Sequence, residues 1–125
     1  MWFLKITLLT LSAINKCHSR QVDFILAYLQ APIEYDMFME LPKGFKTKEV
    51  DGRNHYLQLL KNLYGQKQAG HIWNHHLNNA LKSIGFKQPA VDQCVWYREK
   101  NILFYYVNGG IFIGPDSKAI DKSIE

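Results

Sequence analysis

The chain has 125 residues, of which 47% are hydrophobic and 21% charged, and these proportions are typical of a globular protein that buries one core. Its net charge of +4 is compatible with a polyanionic partner, but the basic residues are scattered, so charge alone does not identify a nucleic-acid-binding protein. Cys17 and Cys94 form no CxxC pattern, which argues against a disulfide scaffold or a zinc site and favours reduced thiols in an intracellular protein.

The first element is an apolar segment at the N-terminus. Leucine and isoleucine recur near helical spacing from Leu4 to Ile14, and Lys5 is the only charge before Ala13, so the pattern predicts a helix with one buried face. The segment lacks the basic start and the cleavage site of a signal peptide, and it is shorter than the about 20 apolar residues that span a membrane. We therefore expect an intracellular protein (cytoplasm or nucleus) without a membrane partner; a small secreted or membrane-tethered protein is the alternative.

An apolar run that contains one acid follows at residues 20–29, RQVDFILAYL, and Pro32 closes it. A buried carboxylate is costly unless another group pairs with it, so the run predicts that Asp23 is buried and has a specific partner. Short strand-like segments follow at residues 37–41 and 55–60. The Asp51-Gly52 turn signal between them predicts a β-hairpin.

The clearest helix is predicted over residues 67–84, because its apolar residues share one face and Gly85 stands where a helix C-terminus favours glycine. Three histidines on this helix include an i, i+4 pair that could bind zinc: His71, His75 and His76. The segment has no HExxH motif and no evident third ligand. A polar helix face is therefore the preferred interpretation.

Two strands are predicted at residues 94–97 and 102–107. The second leads into Asn108-Gly109, a pair favoured at the centre of a tight hairpin because both central positions of a type I′ turn need positive φ. After Gly114 the sequence is short and polar. We therefore predict a folded domain over residues 1–114 and a frayed polar tail over residues 115–125.

Five ordered blocks resemble the palm and part of the fingers of copia-type retrotransposon reverse transcriptases. They are QVDFILAYLQ, MELPKGF, LKNLYGQKQAGHIW, SIGFKQPAVDQCVW and YVNGGIFIG, which with the preceding helix span from about Leu8 to Gly114. The resemblance implies an α+β fold, with a polymerase palm-like antiparallel sheet and packed helices, incomplete because the thumb is missing. It also implies a relation to RNA-directed DNA polymerases, with an RNA or DNA primer–template and the missing parts of a polyprotein as partners.

The resemblance assigns roles to four residues. Asp23 matches the first of three acids that hold two Mg²⁺ ions in the family, and Tyr28 matches an aromatic that lies under the incoming sugar and selects deoxynucleotides. Lys67 and Gln68 match residues near the nucleotide and template, whereas His71 replaces an arginine. The alternatives are a core aromatic for Tyr28 and a solvated helix start for Lys67 and Gln68.

The last block departs from the family most. The motif Tyr-Val-Asp-Asp is here Tyr106, Val107, Asn108 and Gly109, so two of the three catalytic acids are replaced. The sequence therefore predicts a reverse-transcriptase-like domain that does not bind Mg²⁺ productively, does not polymerise DNA and binds primer–template weakly. The alternative is a domesticated, non-catalytic nucleic-acid-binding module, which a contiguous basic face would favour.

Overall fold

A computed structural model describes residues 2–45, 55–107 and 109–124. The chain divides into two compact units, one formed by Met1–Ile25 with His76–Glu125 and the other by Leu26–His75. In chain order the elements are α1 (Trp2–Ile14), β1 (His18–Asp23), α2 (Ala27–Gln30), β2 (Phe38–Glu40), β3 (Tyr56–Gln58), α3 (Ala69–Ser83), β4 (Val95–Arg98), β5 (Asn101–Tyr106), β6 (Gly109–Gly114) and α4 (Ser117–Ile124).

The first unit is built on a four-stranded antiparallel sheet with the strand order β1-β6-β5-β4. The second unit contains a separate antiparallel pair, β2-β3. The predicted α+β class, with an antiparallel sheet and helices, is confirmed. The β2-β3 pair also confirms the predicted hairpin, although Asp51 and Gly52 lie outside the described residues.

Most of the core of the first unit lies on one face of the four-stranded sheet, and Val95, Phe104 and Ile113 are buried on the other. Leu103 is directly opposite both Trp96 and Phe112 on the neighbouring strands, and all three side chains are buried. Leu77 and Leu81 of α3 are buried as well. Full burial of each such side chain contributes about 1.5–3 kcal/mol, so this layer dominates the packing energy of the unit.

Helix α3 confirms the helix predicted over residues 67–84, and its end has the expected glycine. Gly85 has φ of 88°, and the backbone N–H groups of Gly85 and Phe86 donate to the carbonyl oxygens of Lys82 and Leu81. These bonds satisfy carbonyls that the helix end would otherwise leave without partners. The glycine therefore ends α3 at the position that the sequence indicated.

Helix α4 corrects the expectation of a frayed tail. Ile120 is fully buried, and Arg20 of β1 donates hydrogen bonds to the carboxylate of Asp121 at 3.1 Å and to Ser117 Oγ at 2.7 Å. The segment is polar in sequence because the buried side of α4 is narrow. The prediction was wrong because the partner that orders this segment lies 101 positions away along the chain.

Helix α1 confirms the predicted N-terminal helix, with Leu4 and Leu8 half-buried and Ser12 buried on one side. Phe3 is 86% exposed and Ile14 69% exposed, so part of its apolar surface remains open. None of the helices in the described part of the chain has the length and apolar character that crossing a membrane requires.

Candidate active site

Asp23 and Gly109 face each other across two neighbouring strands. Asp23 is the last residue of β1, Gly109 is the first residue of β6, and the two are paired in the antiparallel ladder. Paired residues have Cα atoms about 4.5–5.5 Å apart. The structure therefore brings Asp23 next to Gly109, and these are two of the positions at which the resemblance expects the acids of the family. Asn108, the other such position, lies outside the described residues.

Asp23 is exposed, so the prediction that it is buried was wrong. Strand β1 is at the edge of the sheet and ends at this residue. The apolar run does not continue the strand: Leu26 has φ of 52° and precedes the short helix α2. An edge strand that ends in a turn leaves its last side chain to solvent, and therefore the carboxylate stays hydrated without a buried partner.

The hairpin turn is shifted by one residue from the prediction. Tyr106 of β5 is paired with Gly109, so Gly109 belongs to β6 and is not a central residue of the turn. Val107 instead has φ of 58°. A β-branched residue in the left-handed region is a backbone outlier that costs about 1–2 kcal/mol. The turn therefore stores strain at the valine that the family motif shares.

Strand pairing places Gln21, Asp23, Tyr106 and Gly109 on one face of the sheet, because paired residues share a face and side chains alternate along each strand. A cavity of about 200 Å³ on this face is lined by Lys5, Gln21, Tyr106 and Gly109 together with apolar neighbours. Of the described residues that line it, Lys5 alone is charged. Its described lining therefore carries one ammonium group and no carboxylate.

Sequence reasoning did not assign Lys5 to this site. Its ammonium nitrogen lies 5.8 Å from the ring centroid of Phe104 on β5. A single charge in an apolar helix was a usable signal, because such a residue often directs its head group to a polar edge. The sheet face that α1 covers depends on long-range packing, and no local pattern predicts it.

Tyr28 lies in the second unit and packs against an aromatic neighbour. Its ring centroid is 4.5 Å from that of Tyr64, at an interplanar angle of 37°. Its hydroxyl oxygen is 3.6 Å from the position that a Cβ on Gly70 would occupy, which brings it close to the start of α3. Tyr28 is half-buried in this packing, so it has a structural contact, and its role beneath a nucleotide stays a prediction.

Lys67 and Gln68 precede α3 in the same unit. Lys67 is exposed, whereas Gln68 is half-buried and its Nε2 donates to Met37 Sδ at 2.8 Å. Gln66, which stands where the family has leucine, accepts a hydrogen bond from the backbone N–H of Leu63 at 3.0 Å through its Oε1. The Gln66 amide therefore bonds within this loop and the Gln68 amide bonds Met37, whereas the Lys67 side chain is exposed to solvent.

Comparison with known proteins identifies the family. The profile described as "Reverse transcriptase (RNA-dependent DNA polymerase)" matches residues 3–124. The chain belongs to this family. It is 34% identical over 122 residues to the retrovirus-related Pol polyprotein from transposon TNT 1-94 of Nicotiana tabacum, a match that covers 93% of this chain and 9% of that protein.

Other relatives of this chain are also retrotransposon proteins. The identity is 34% to the Pol polyprotein from transposon RE1 of Arabidopsis thaliana, over 85% of this chain and 7% of that protein. It is 29% to the putative transposon Ty5-1 protein of Saccharomyces cerevisiae, over 81% of this chain and 33% of that protein. These relatives place the chain with copia-type elements, and it spans only a small part of each. No solved structure matches it.

The three histidines considered as zinc ligands lie together on one helix. His71, His75 and His76 are all exposed on α3. Across residues 2–45, 55–107 and 109–124, no three His, Cys, Asp or Glu side chains are grouped closely enough to hold a metal ion. The described geometry agrees with a polar helix face, the interpretation preferred from the sequence.

Proposed function

We propose that this chain is a palm-like reverse transcriptase domain of a copia-type retrotransposon that keeps the fold of the family but does not polymerise DNA. The Asp23–Gly109 pair is the observation that carries the proposal. The retained carboxylate faces a residue that has no side chain, at the point where the family motif supplies an acid. A palm-like sheet is supported by the adjacency of β1 to the β5–β6 hairpin, which gathers these positions at one end.

The donor set does not fit two Mg²⁺ ions. Mg²⁺ prefers oxygen ligands and usually binds through carboxylates and substrate phosphates. Here Asp23 offers one carboxylate, Asn108 carries a neutral amide and Gly109 offers no side-chain ligand. Lys5 adds positive charge on the same face of the sheet. Loss of one electrostatic contact in an active site already lowers the rate by about 10²–10³-fold, so the loss of two acids accounts for an inactive site.

A primer-extension assay with Mg²⁺ or Mn²⁺ tests this proposal. The unsubstituted chain is expected to extend a primer no more than a reaction without protein, and extension above that background contradicts the proposal. The double variant Asn108→Asp, Gly109→Asp is the matched comparison. A Cβ on Gly109 would have the carbonyl oxygen of Val22 as its nearest contact at 3.8 Å, so an aspartate fits there without displacing the backbone.

Recovery of extension by the double variant is expected to be small. The two added acids complete the local donor set, but polymerisation also needs a positioned primer and template. The chain spans 9% of the tobacco relative, and we propose that the rest of such a polyprotein supplies that positioning. A triple variant that also carries Asp23→Asn is the control, because it has the added acids and lacks the retained one.

The alternative of a nucleic-acid-binding module rests on lysines that could contact phosphates. By sequence, the second unit (Leu26–His75) has six lysines and arginines and five aspartates and glutamates, so its formal charge is only 6 − 5 = +1. Such a surface lacks the excess of positive charge that usually drives binding to a polyanion. We therefore propose only weak binding of an RNA or DNA primer–template.

A further inference from the structure

The first unit contains a second, larger cavity on the opposite face of its sheet, between the sheet, α3 and α4. Its volume is about 360 Å³. Buried side chains form its floor: Leu77, Leu81, Leu103 and Phe112. Its mouth carries Ile84 and Ile124, which are 48% and 43% exposed. Ligand cavities are typically about 300–1,000 Å³ and mostly apolar, so both size and lining fit a binding site.

The polar groups at this cavity decide the class of ligand. Ser123 Oγ accepts a hydrogen bond from Arg98 at 2.7 Å and donates one to the carbonyl oxygen of Ala119 at 2.8 Å, so its hydrogen-bonding capacity is used within the fold. Asp23 also lines the cavity, but its side chain is exposed and strand pairing places it on the face of Tyr106 and Gly109. A polar ligand would therefore lose hydrogen bonds to water and gain few inside, whereas an apolar ligand gains contact with apolar side chains.

We propose that this cavity binds a small, neutral, apolar molecule of about the size of indole. The apolar lining disfavours anionic ligands such as aromatic or fatty carboxylates, because none of the described residues that line it has a cationic side chain to replace the hydration of their charge. The binding needs neither metal nor nucleic acid and therefore goes beyond the proposed function. The proposed apolar ligand contacts the face of the sheet opposite to the Tyr106–Gly109 turn. A negative result for this ligand therefore does not contradict the proposed loss of polymerase activity, and the reverse also holds.

Titration of the full chain with indole, followed by amide chemical shifts, tests the site. Saturable shifts are expected at Leu77, Leu81 and Phe112, with a Kd on the order of 1 mM or tighter for a ligand of this size. Ala80→Phe places a ring at the cavity and is expected to weaken binding at least about tenfold. Ser83→Phe adds the same ring to α3 at a residue that does not line the cavity, and it is the matched control.

Two results would overturn the proposal. One is the absence of saturable shifts with indole in the unsubstituted chain. The other is a failure of the two variants to differ while both keep their helical circular dichroism: Ala80→Phe leaves indole binding unchanged, or Ser83→Phe weakens it as much as Ala80→Phe does. The class of ligand is tested with indole carboxylate, which is expected to bind at least about threefold more weakly because its charge would lose hydration against the apolar lining. Equal binding of carboxylate and indole would contradict selection for neutral molecules.

Discussion

Arg98 lies against the ring of Phe86, with its guanidinium carbon 4.9 Å from the ring centroid. The same side chain donates to the carbonyl oxygen of Ile84 at 2.9 Å and to Ser123 Oγ at 2.7 Å. One arginine therefore links the end of α3, the strand β4 and the helix α4. Because its planar guanidinium makes several directed contacts at once, a lysine cannot reproduce them.

We expect Arg98→Ala to lower the free energy of unfolding by about 1–3 kcal/mol, the sum of two partly exposed hydrogen bonds and a cation–π contact. Arg98→Lys should recover less than half of that loss. Urea denaturation measures both variants, with Lys100→Ala on the neighbouring exposed turn as the control. Equal stability of Arg98→Ala and the unsubstituted chain would show that these contacts do not link the three elements.

Val107→Gly is expected to stabilise the hairpin by about 1 kcal/mol, although it removes a side chain. The valine has φ of 58°, a conformation that glycine adopts without steric cost. Thermal unfolding provides the measurement. Val91→Gly is the control, because Val91 is exposed and has no positive φ, so glycine there should only add freedom to the unfolded chain. A drop in melting temperature for Val107→Gly equal to that of the control would contradict the assignment of strain.

Cys94 should react slowly with a thiol-alkylating reagent at neutral pH. Burial raises the pKa of its thiol above the ordinary value of 9.0, and the nearby Asp92 carboxylate raises it further. Because the thiolate is the reactive form, Asp92→Asn should lower this pKa and accelerate alkylation. Mass spectrometry of the Cys94 peptide reports the rate. Asp36→Asn, which removes a carboxylate in the other unit, should leave it unchanged; no acceleration by Asp92→Asn would contradict the electrostatic cause.

Binding to a primer–template should be weak, insensitive to sequence and lost as salt is raised. Scattered lysines can neutralise a few phosphates, and the logarithm of the affinity that they provide falls linearly with the logarithm of salt concentration. Fluorescence anisotropy with two unrelated duplexes at several salt concentrations provides the measurement. A complex that persists at high salt and discriminates between the duplexes would instead favour a domesticated module.

The fold was predicted best where local signals were strong. The periodicity before Gly85 predicted α3, and alternating apolar segments predicted both β-hairpins. The errors came from long-range contacts: α4 packs through the buried Ile120 and is bonded by Arg20 to Ser117 and Asp121, contacts that the polar sequence of the tail does not reveal. Asp23 was expected to be buried because an apolar run surrounds it, but the strand ends there and the next residues turn into α2.

In the candidate site, too, the features with a local sequence signal were predicted, and those set by long-range packing were missed. The resemblance located Asp23 and the hairpin, and strand pairing then placed Gly109 directly opposite the acid. Lys5 was missed because its position depends on how α1 covers the sheet. The shift of the turn by one residue, from the predicted pair at 108–109 to the pair at 107–108, was also missed because Asn-Gly is such a strong turn signal that the local pattern centres the turn on it.

Metal binding tests the central claim most directly, because the proposal attributes inactivity to the lost ligands of the metal ions. Paramagnetic broadening by Mn²⁺ should show weak association near Asp23 in the unsubstituted chain. The variant Asn108→Asp, Gly109→Asp should bind at least about tenfold more tightly, since two added carboxylates complete an oxygen donor set, and Asp23→Asn in that background should reverse most of the gain. Tight binding of two divalent ions by the unsubstituted chain would contradict the claim that this domain has lost its catalytic site.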